Sequence, residues 1–86
     1  MSVTMYSTRL CPYCMRARQL LDAKGVEYTD IAVDEQPELR LEMMERSGRR
    51  TVPQIWVGEN HVGGFDDLWA LESAGRLDAL LEQAGS

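Results

Sequence analysis

The sequence predicts an α/β fold built on a mixed sheet, and three observations predict it. Up to Val33 the chain reads strand, helix, strand, the pattern of a parallel pair joined by a right-handed crossover. Two short strands further on are separated by Gly58-Glu59-Asn60, which reads as a hairpin and adds antiparallel partners. With 86 residues, 44% of them hydrophobic and 27% charged, the chain has material for one small domain spanning 1–86 and no long uncharged run to cross a bilayer. The predicted order is β-α-β-α-β-β-α with a short C-terminal helical segment.

The first strand covers about Ser2 to Tyr6, where Val3-Thr4-Met5-Tyr6 alternates apolar and polar among strand formers. The first helix starts at Pro12, which suits a position whose missing N–H costs nothing; Cys11 is then the N-cap and Cys14 the third helical residue. Tyr13, Ala17, Leu20 and Leu21 make one apolar stripe, and Gly25 follows the helix as a C′ residue. Tyr28, Ile31 and Val33 mark a second strand within Val26 to Val33. Asp34-Glu35-Gln36-Pro37 opens a second helix, with acids near its start, Arg46 near its end and a narrow face of Leu39, Met43 and Met44. Gly48 ends it. Val52 to Val57 is the third strand and His61-Val62-Gly63 the fourth. A third helix runs from near Asp66 to Gly75, and Leu77, Leu80, Leu81 and Ala84 mark the last segment.

Charge and cysteine usage exclude several function classes. The net charge of −5 argues against a nucleic-acid surface, which needs clustered Lys and Arg. Residues 1 to 18 nevertheless hold Arg9, Arg16 and Arg18 with no acid, and residues 46 to 50 hold three bases. Both cysteines lie in the first of these positive stretches. They are three residues apart, too close to staple distant segments, and such a pair in a reducing compartment is more often catalytic or metal-binding. Structural zinc is a poor fit, because His61 is the only other ligand of the right kind and no fourth exists; no metal is expected. Met1 to Tyr6 has neither a basic nor an apolar signal region, so a cytoplasmic address is the expectation.

Cys11-Pro12-Tyr13-Cys14 carries the chemistry. The thiolate is the attacking species, and an ordinary thiol is only a few per cent ionised at neutral pH. At the N-cap, Cys11 is expected to face the unpaired N–H groups of Tyr13 and Cys14 and the positive end of the helix dipole, with Arg9 and Arg16 nearby, all favouring the anion. Cys14, one turn inward, is expected to be more buried and less ionised. Residues three apart on a helix have Cα atoms on the order of 5 Å apart, inside the range a disulfide spans. The competing reading, two buried cysteines serving as small hydrophobes, does not use the strand-to-helix context.

Together with Arg49-Arg50-Thr51-Val52-Pro53-Gln54-Ile55 and Gly63-Gly64-Phe65-Asp66-Asp67-Leu68, the motif resembles the glutaredoxins, specifically the small dithiol bacterial type, over nearly the whole chain. The resemblance implies a thioredoxin-like fold, a four-stranded mixed sheet with helices on both faces, and glutathione-dependent reduction of disulfides and of protein–glutathione mixed disulfides. Cys11 would be the nucleophile and Cys14 the resolving thiol. Pro53 would be cis and border the cysteines, and Val52 would pair its backbone with an extended peptide as an added strand does. Gly63-Gly64 before Asp66-Asp67 puts a permissive turn at a helix N-terminus, where N–H groups bind a carboxylate. By resemblance it holds the γ-glutamyl end of glutathione, the ammonium near Asp67, one aspartate capping while the other binds. The glycyl carboxylate needs a cation; the family's frequent lysine is Thr8 here, which leaves Arg9 and Arg49. Tyr13, Thr51, Gly64 and Asp66 complete the expected groove.

The implied partners are glutathione and glutathionylated or disulfide-containing proteins, met by a monomer with no nucleic-acid or membrane role. An iron–sulfur carrier, with Cys11 and glutathione from two protomers holding a cluster, is the alternative from another class. Pro12 and Tyr13 disfavour the open site it needs. A redoxin served by thioredoxin reductase is the third reading. Trp56 and Trp69 read as core, Met43 and Met44 as packing under the second helix, His61 as a partly exposed strand residue, and the acids from Asp30 to Glu45 as a solvated face.

Overall fold

The structure, a computed structural model, describes residues 3–85. Its elements are β1 (Val3–Ser7), α1 (Pro12–Ala23), β2 (Tyr28–Ala32), α2 (Pro37–Ser47), β3 (Gln54–Val57), β4 (Asn60–Gly63), α3 (Phe65–Ser73) and α4 (Leu77–Gly85). Ser2 and the side chain of Ala84 lie outside the described residues. The strands form one sheet in the order β2-β1-β3-β4. β1 runs parallel to β2 and antiparallel to β3, and β3 pairs antiparallel with β4. The crossover and the hairpin thus share a mixed sheet, as the pattern predicts.

Alternation along the two central strands divides the interior in two, because successive side chains point to opposite faces. Val3 and Met5 of β1 join Ile55 and Val57 of β3 in a core completed by Ala17, Leu21, Leu68, Leu77 and Leu81, so α1, α3 and α4 share one face. Tyr6 and Trp56 point the other way and meet Val33 and Met43, which places α2 on the opposite face. There the Tyr6 hydroxyl donates to Glu42 at 2.9 Å and accepts from Arg46 Nη1 at 2.7 Å. The Arg46 guanidinium also lies 4.6 Å from the centre of the Trp56 ring, so a cation closes this smaller core where apolar side chains run out.

Helix boundaries follow the expected signals. Cys11 and Gln36 are the N-caps of α1 and α2, each followed by proline, and Gly48 ends α2 in the left-handed region. β3 begins two residues later than expected, at Gln54, since Pro53 has no N–H for the ladder; the Val52–Pro53 peptide bond is cis, as expected. Asn60 belongs to β4 and pairs with Val57, which shortens the turn to Gly58-Glu59.

Two expectations are corrected. Tyr13 is 52% exposed and leaves the α1 stripe, whose buried members are Cys14, Ala17 and Leu21; its ring instead faces Phe65, 6.5 Å between centroids. Trp69 is also 52% exposed. α3 buries Leu68, and the next residue, about 100° further round the helix, turns outward to stack on Phe65 at 6.2 Å. The acids from Asp30 to Glu45 are exposed, as expected, with Asp30 bound by Arg18 and Glu42 by Tyr6 at that surface.

Candidate active site

The topology brings two loops together. β1 and β3 are antiparallel neighbours with Tyr6 opposite Gln54, so the chain leaving β1 toward Cys11 and the chain entering β3 from Pro53 lie at one end of the sheet. Contact follows directly: Cys11 Sγ lies 3.8 Å from the Val52 carbonyl oxygen and donates to it. Cys11 is half-buried at the N-cap, and its sulfur makes no cap hydrogen bond to the first turn. This differs from the expected orientation toward the N–H groups of Tyr13 and Cys14. A protonated thiol has a hydrogen to give and turns to an acceptor, whereas N–H groups attract the anion.

Cys14 is fully buried. Burial pushes its thiol up to about 11, and a hydrogen bond and charge at Cys11 push the same way, against the Thr8 backbone N–H and the Arg18 charge. The unequal pair expected from the sequence is therefore present: a reachable sulfur at the cap and a protonated one beneath it.

Beside the cysteines lies a cleft of about 330 Å³, walled by Tyr13, Arg49, Thr51, Val52, Pro53, Gly64, Phe65, Asp66 and Asp67. The structure brings together every predicted groove residue except Arg9, which is exposed away from this wall with its backbone N–H on Asp34 Oδ2 at 3.3 Å. Phe65 was not singled out from the sequence. Its signal was its place between Gly64 and Asp66, which obliges it to share their wall.

Arg49 and Asp67, expected at opposite ends of a bound tripeptide, form an ion pair across the cleft, Nη1 to Oδ2 at 3.0 Å. The same oxygen accepts the Gly64 N–H at 2.9 Å, making Asp67 the aspartate that caps α3 and leaving Asp66 exposed. The Gly64 N–H first, then the Arg49 guanidinium, hold the Asp67 carboxyl below its usual range. One guanidinium nitrogen is thus committed, while the others keep N–H donors for a ligand carboxylate.

The proline loop is braced from behind. Buried Gln54 donates from Nε2 to the Thr51 carbonyl at 3.0 Å and to the Thr51 hydroxyl at 3.2 Å, so its Oε1 is the acceptor for His61 Nε2 at 2.7 Å. His61 also stacks on Trp56 at 4.6 Å. Burial of the ring, with the Arg49 charge, holds its pKa below the ordinary value of 6.5, against a smaller opposing pull from Asp67. The folded state therefore binds this proton less readily than the unfolded chain, and the resulting stability is complete above about 6.5 and lost as pH falls through the lowered value. Asp67 acts in the same direction in a more acidic window. Urea midpoints measured between pH 7 and 5 are expected to fall, and His61→Gln to flatten that decline; an unchanged slope in the variant would show that the charge of His61 does not matter.

Among the described residues, no cluster of three or more His, Cys, Asp or Glu is placed to hold a metal ion. A half-buried cysteine at a helix start, a protonated partner one turn inward and the Val52 carbonyl against the first sulfur define a thiol-disulfide oxidoreductase on a thioredoxin-like fold. The glutaredoxin family model matches residues 3–62, and the chain belongs to that family. It is 62% identical to the glutaredoxin of Pseudomonas aeruginosa over 79 residues, 92% of this chain and 94% of that one. It is 48% identical to glutaredoxin 3 of Escherichia coli over 81 residues, 94% of this chain and 98% of that one. Among solved structures, the solution structure of the Brucella melitensis glutaredoxin matches with a TM-score of 0.85 at 53% identity, covering all of this chain and 92% of that one. The crystal structure of a buckwheat glutaredoxin–glutathione complex matches with a TM-score of 0.90 at 29% identity, covering 96% of this chain and 78% of that one.

Proposed function

We propose that the protein is a glutathione-dependent reductase of protein–glutathione mixed disulfides and protein disulfides, acting as a cytoplasmic monomer. The observation that carries this reading is the cleft itself, which adjoins Cys11 through Val52 and offers a peptide-sized wall with Arg49 and the α3 N-terminus for anionic groups. The buckwheat relative's complex with glutathione supports the same ligand here.

In the first route, the Cys11 thiolate attacks the glutathione sulfur of a mixed disulfide. The protein thiol leaves and takes a proton, and Cys11 is left bonded to glutathione. A second glutathione attacks that sulfur, releasing glutathione disulfide and restoring Cys11. In the second route, Cys11 attacks a protein disulfide, Cys14 displaces the partner from Cys11, and two glutathiones reopen the bridge. Two electrons pass from glutathione to the substrate in each case. Glutaredoxin potentials of about −200 to −230 mV lie close enough to a cytosolic glutathione poise for these steps to run.

A coupled assay tests the source of electrons. Turnover with glutathione and its reductase, and none with thioredoxin reductase alone, is expected. Equal turnover with thioredoxin reductase alone would assign the chain to the redoxins that need no glutathione groove.

A further inference from the structure

Arg18 stands four residues after Cys14 on α1, one turn along the same face of the helix. Its guanidinium is gripped from two strands. Nε donates to Asp30 Oδ2 at 2.7 Å, and Nη2 donates to Ser7 Oγ at 2.8 Å and to the Thr8 carbonyl at 3.3 Å. Ser7 Oγ bonds to Asp30 in turn. Arg18 therefore fixes the end of β1 and the residue beyond it. That residue, Thr8, is the one whose backbone N–H favours the Cys14 thiolate, against the burial that pushes the thiol up. Arg18 lies outside the cleft wall, so substrate binding leaves this cluster unexplained.

We propose that Arg18 is a positioning residue for the resolving step: by holding Thr8 and by its own charge, it prepares Cys14 to attack Cys11 once Cys11 is capped. This rests on the two-thiol route above. In that step Cys14 gives its proton to solvent and its thiolate attacks Cys11 Sγ. The Cys11–Cys14 bond forms as the bond from Cys11 to the partner sulfur breaks, and the departing thiolate takes a proton from water. The number of disulfide bonds is unchanged in this exchange; over it and the preceding attack by Cys11 the dithiol loses two electrons and the substrate disulfide gains them.

The arrangement also supplies timing. While Cys11 is free, its hydrogen bond and charge add to burial in keeping Cys14 protonated. Capping Cys11 as a disulfide removes its charge and weakens it as an acceptor for the Cys14 thiol. Burial then stands alone against the Thr8 N–H and Arg18, whose field is tempered by Asp30 of β2. The second thiol becomes reactive when there is a bond for it to break, and not before.

The experiment starts from protein carrying glutathione on Cys11 and follows closure of the Cys11–Cys14 bridge, with release of glutathione, by rapid quench and mass spectrometry across pH. A neighbouring cation is worth roughly 1 to 2 pKa units, and thiolate nucleophilicity rises with basicity at a slope of about 0.4–0.5, which offsets part of the lost thiolate fraction. Arg18→Gln is therefore expected to slow closure at pH 7 by about three- to tenfold and to move the midpoint of its pH profile upward. Arg18→Lys, which keeps the charge, should recover most of both. An Arg18→Gln profile that overlays the native one overturns the proposal. Should that variant fail to fold, the same comparison is made with Arg18→Met, which keeps an aliphatic stem: a slowed closure with an upward-shifted midpoint supports the proposal, and a profile that overlays the native one overturns it. Absence of closure in the native protein would sink the two-thiol route and this proposal with it, whereas closure indifferent to Arg18 sinks the proposal alone.

Discussion

Cys11→Ser is expected to abolish turnover of both substrate classes, by at least about a thousandfold, because a serine hydroxyl is hardly ionised near neutral pH and makes no disulfide. Cys14→Ser should separate the two routes. It keeps removal of glutathione from mixed disulfides, which needs one sulfur, and loses reduction of protein disulfides, which needs the second to displace a partner trapped on Cys11. The measurement is turnover of a glutathionylated peptide and of a peptide disulfide, with mass spectrometry to catch the trapped species. The geometry explains the asymmetry: Cys11 is reachable at the cap beside the cleft, while Cys14 is buried and reaches only what Cys11 presents. Residual deglutathionylation in Cys11→Ser would overturn the assignment of the nucleophile.

Gly63→Ala is expected to damage binding far more than its single added carbon suggests. Gly63 ends β4 at φ +115°, and a Cβ there would sit 2.8 Å from Asp67 Cγ and 2.9 Å from Arg49 Nη1. The substitution pays on the order of 1–3 kcal/mol for the backbone conformation and also drives apart the two side chains that face each other across the cleft. A lower urea midpoint is expected, together with a KM for glutathionylated peptide raised by roughly tenfold or more, the loss of one charge-assisted contact. Gly25→Ala is the control, since its φ is +70° but nothing lies within 4 Å of the added carbon. It should lose some stability and keep its KM. If both variants leave KM unchanged, the Arg49–Asp67 pair does not shape the binding wall.

Much of this architecture was legible because it is written locally. Pro12 after Cys11 announces where α1 begins, and that alone decides which cysteine is capped and which is enclosed. Gly48 and the Gly58-Glu59 turn punctuate the chain in the same way. What the sequence concealed are relations between segments. Trp69 and Tyr13 are apolar enough for a core, and only the assembled packing of α3 and α1 shows that Leu68 and Cys14 take the inward positions. Arg49 and Asp67 are eighteen residues apart and each suited to a ligand; nothing local says that they bind one another. Arg18 read as one of three bases near the motif, and its role emerged only when β2 supplied Asp30.

The strand order assigns binding and chemistry to parts of the molecule with different local stability. Cys11 and the proline loop hang from β1 and β3, the two inner strands, whose hydrogen bonds are shared on both sides. Gly64, Phe65 and Asp67 follow β4, an outer strand that pairs on one side only. Outer strands open at lower free energy than inner ones, so loosening of β4 would reach the wall of Gly64, Phe65 and Asp67 before it reached the sulfurs. The frame that holds the two sulfurs is thus the part of the sheet that opens last.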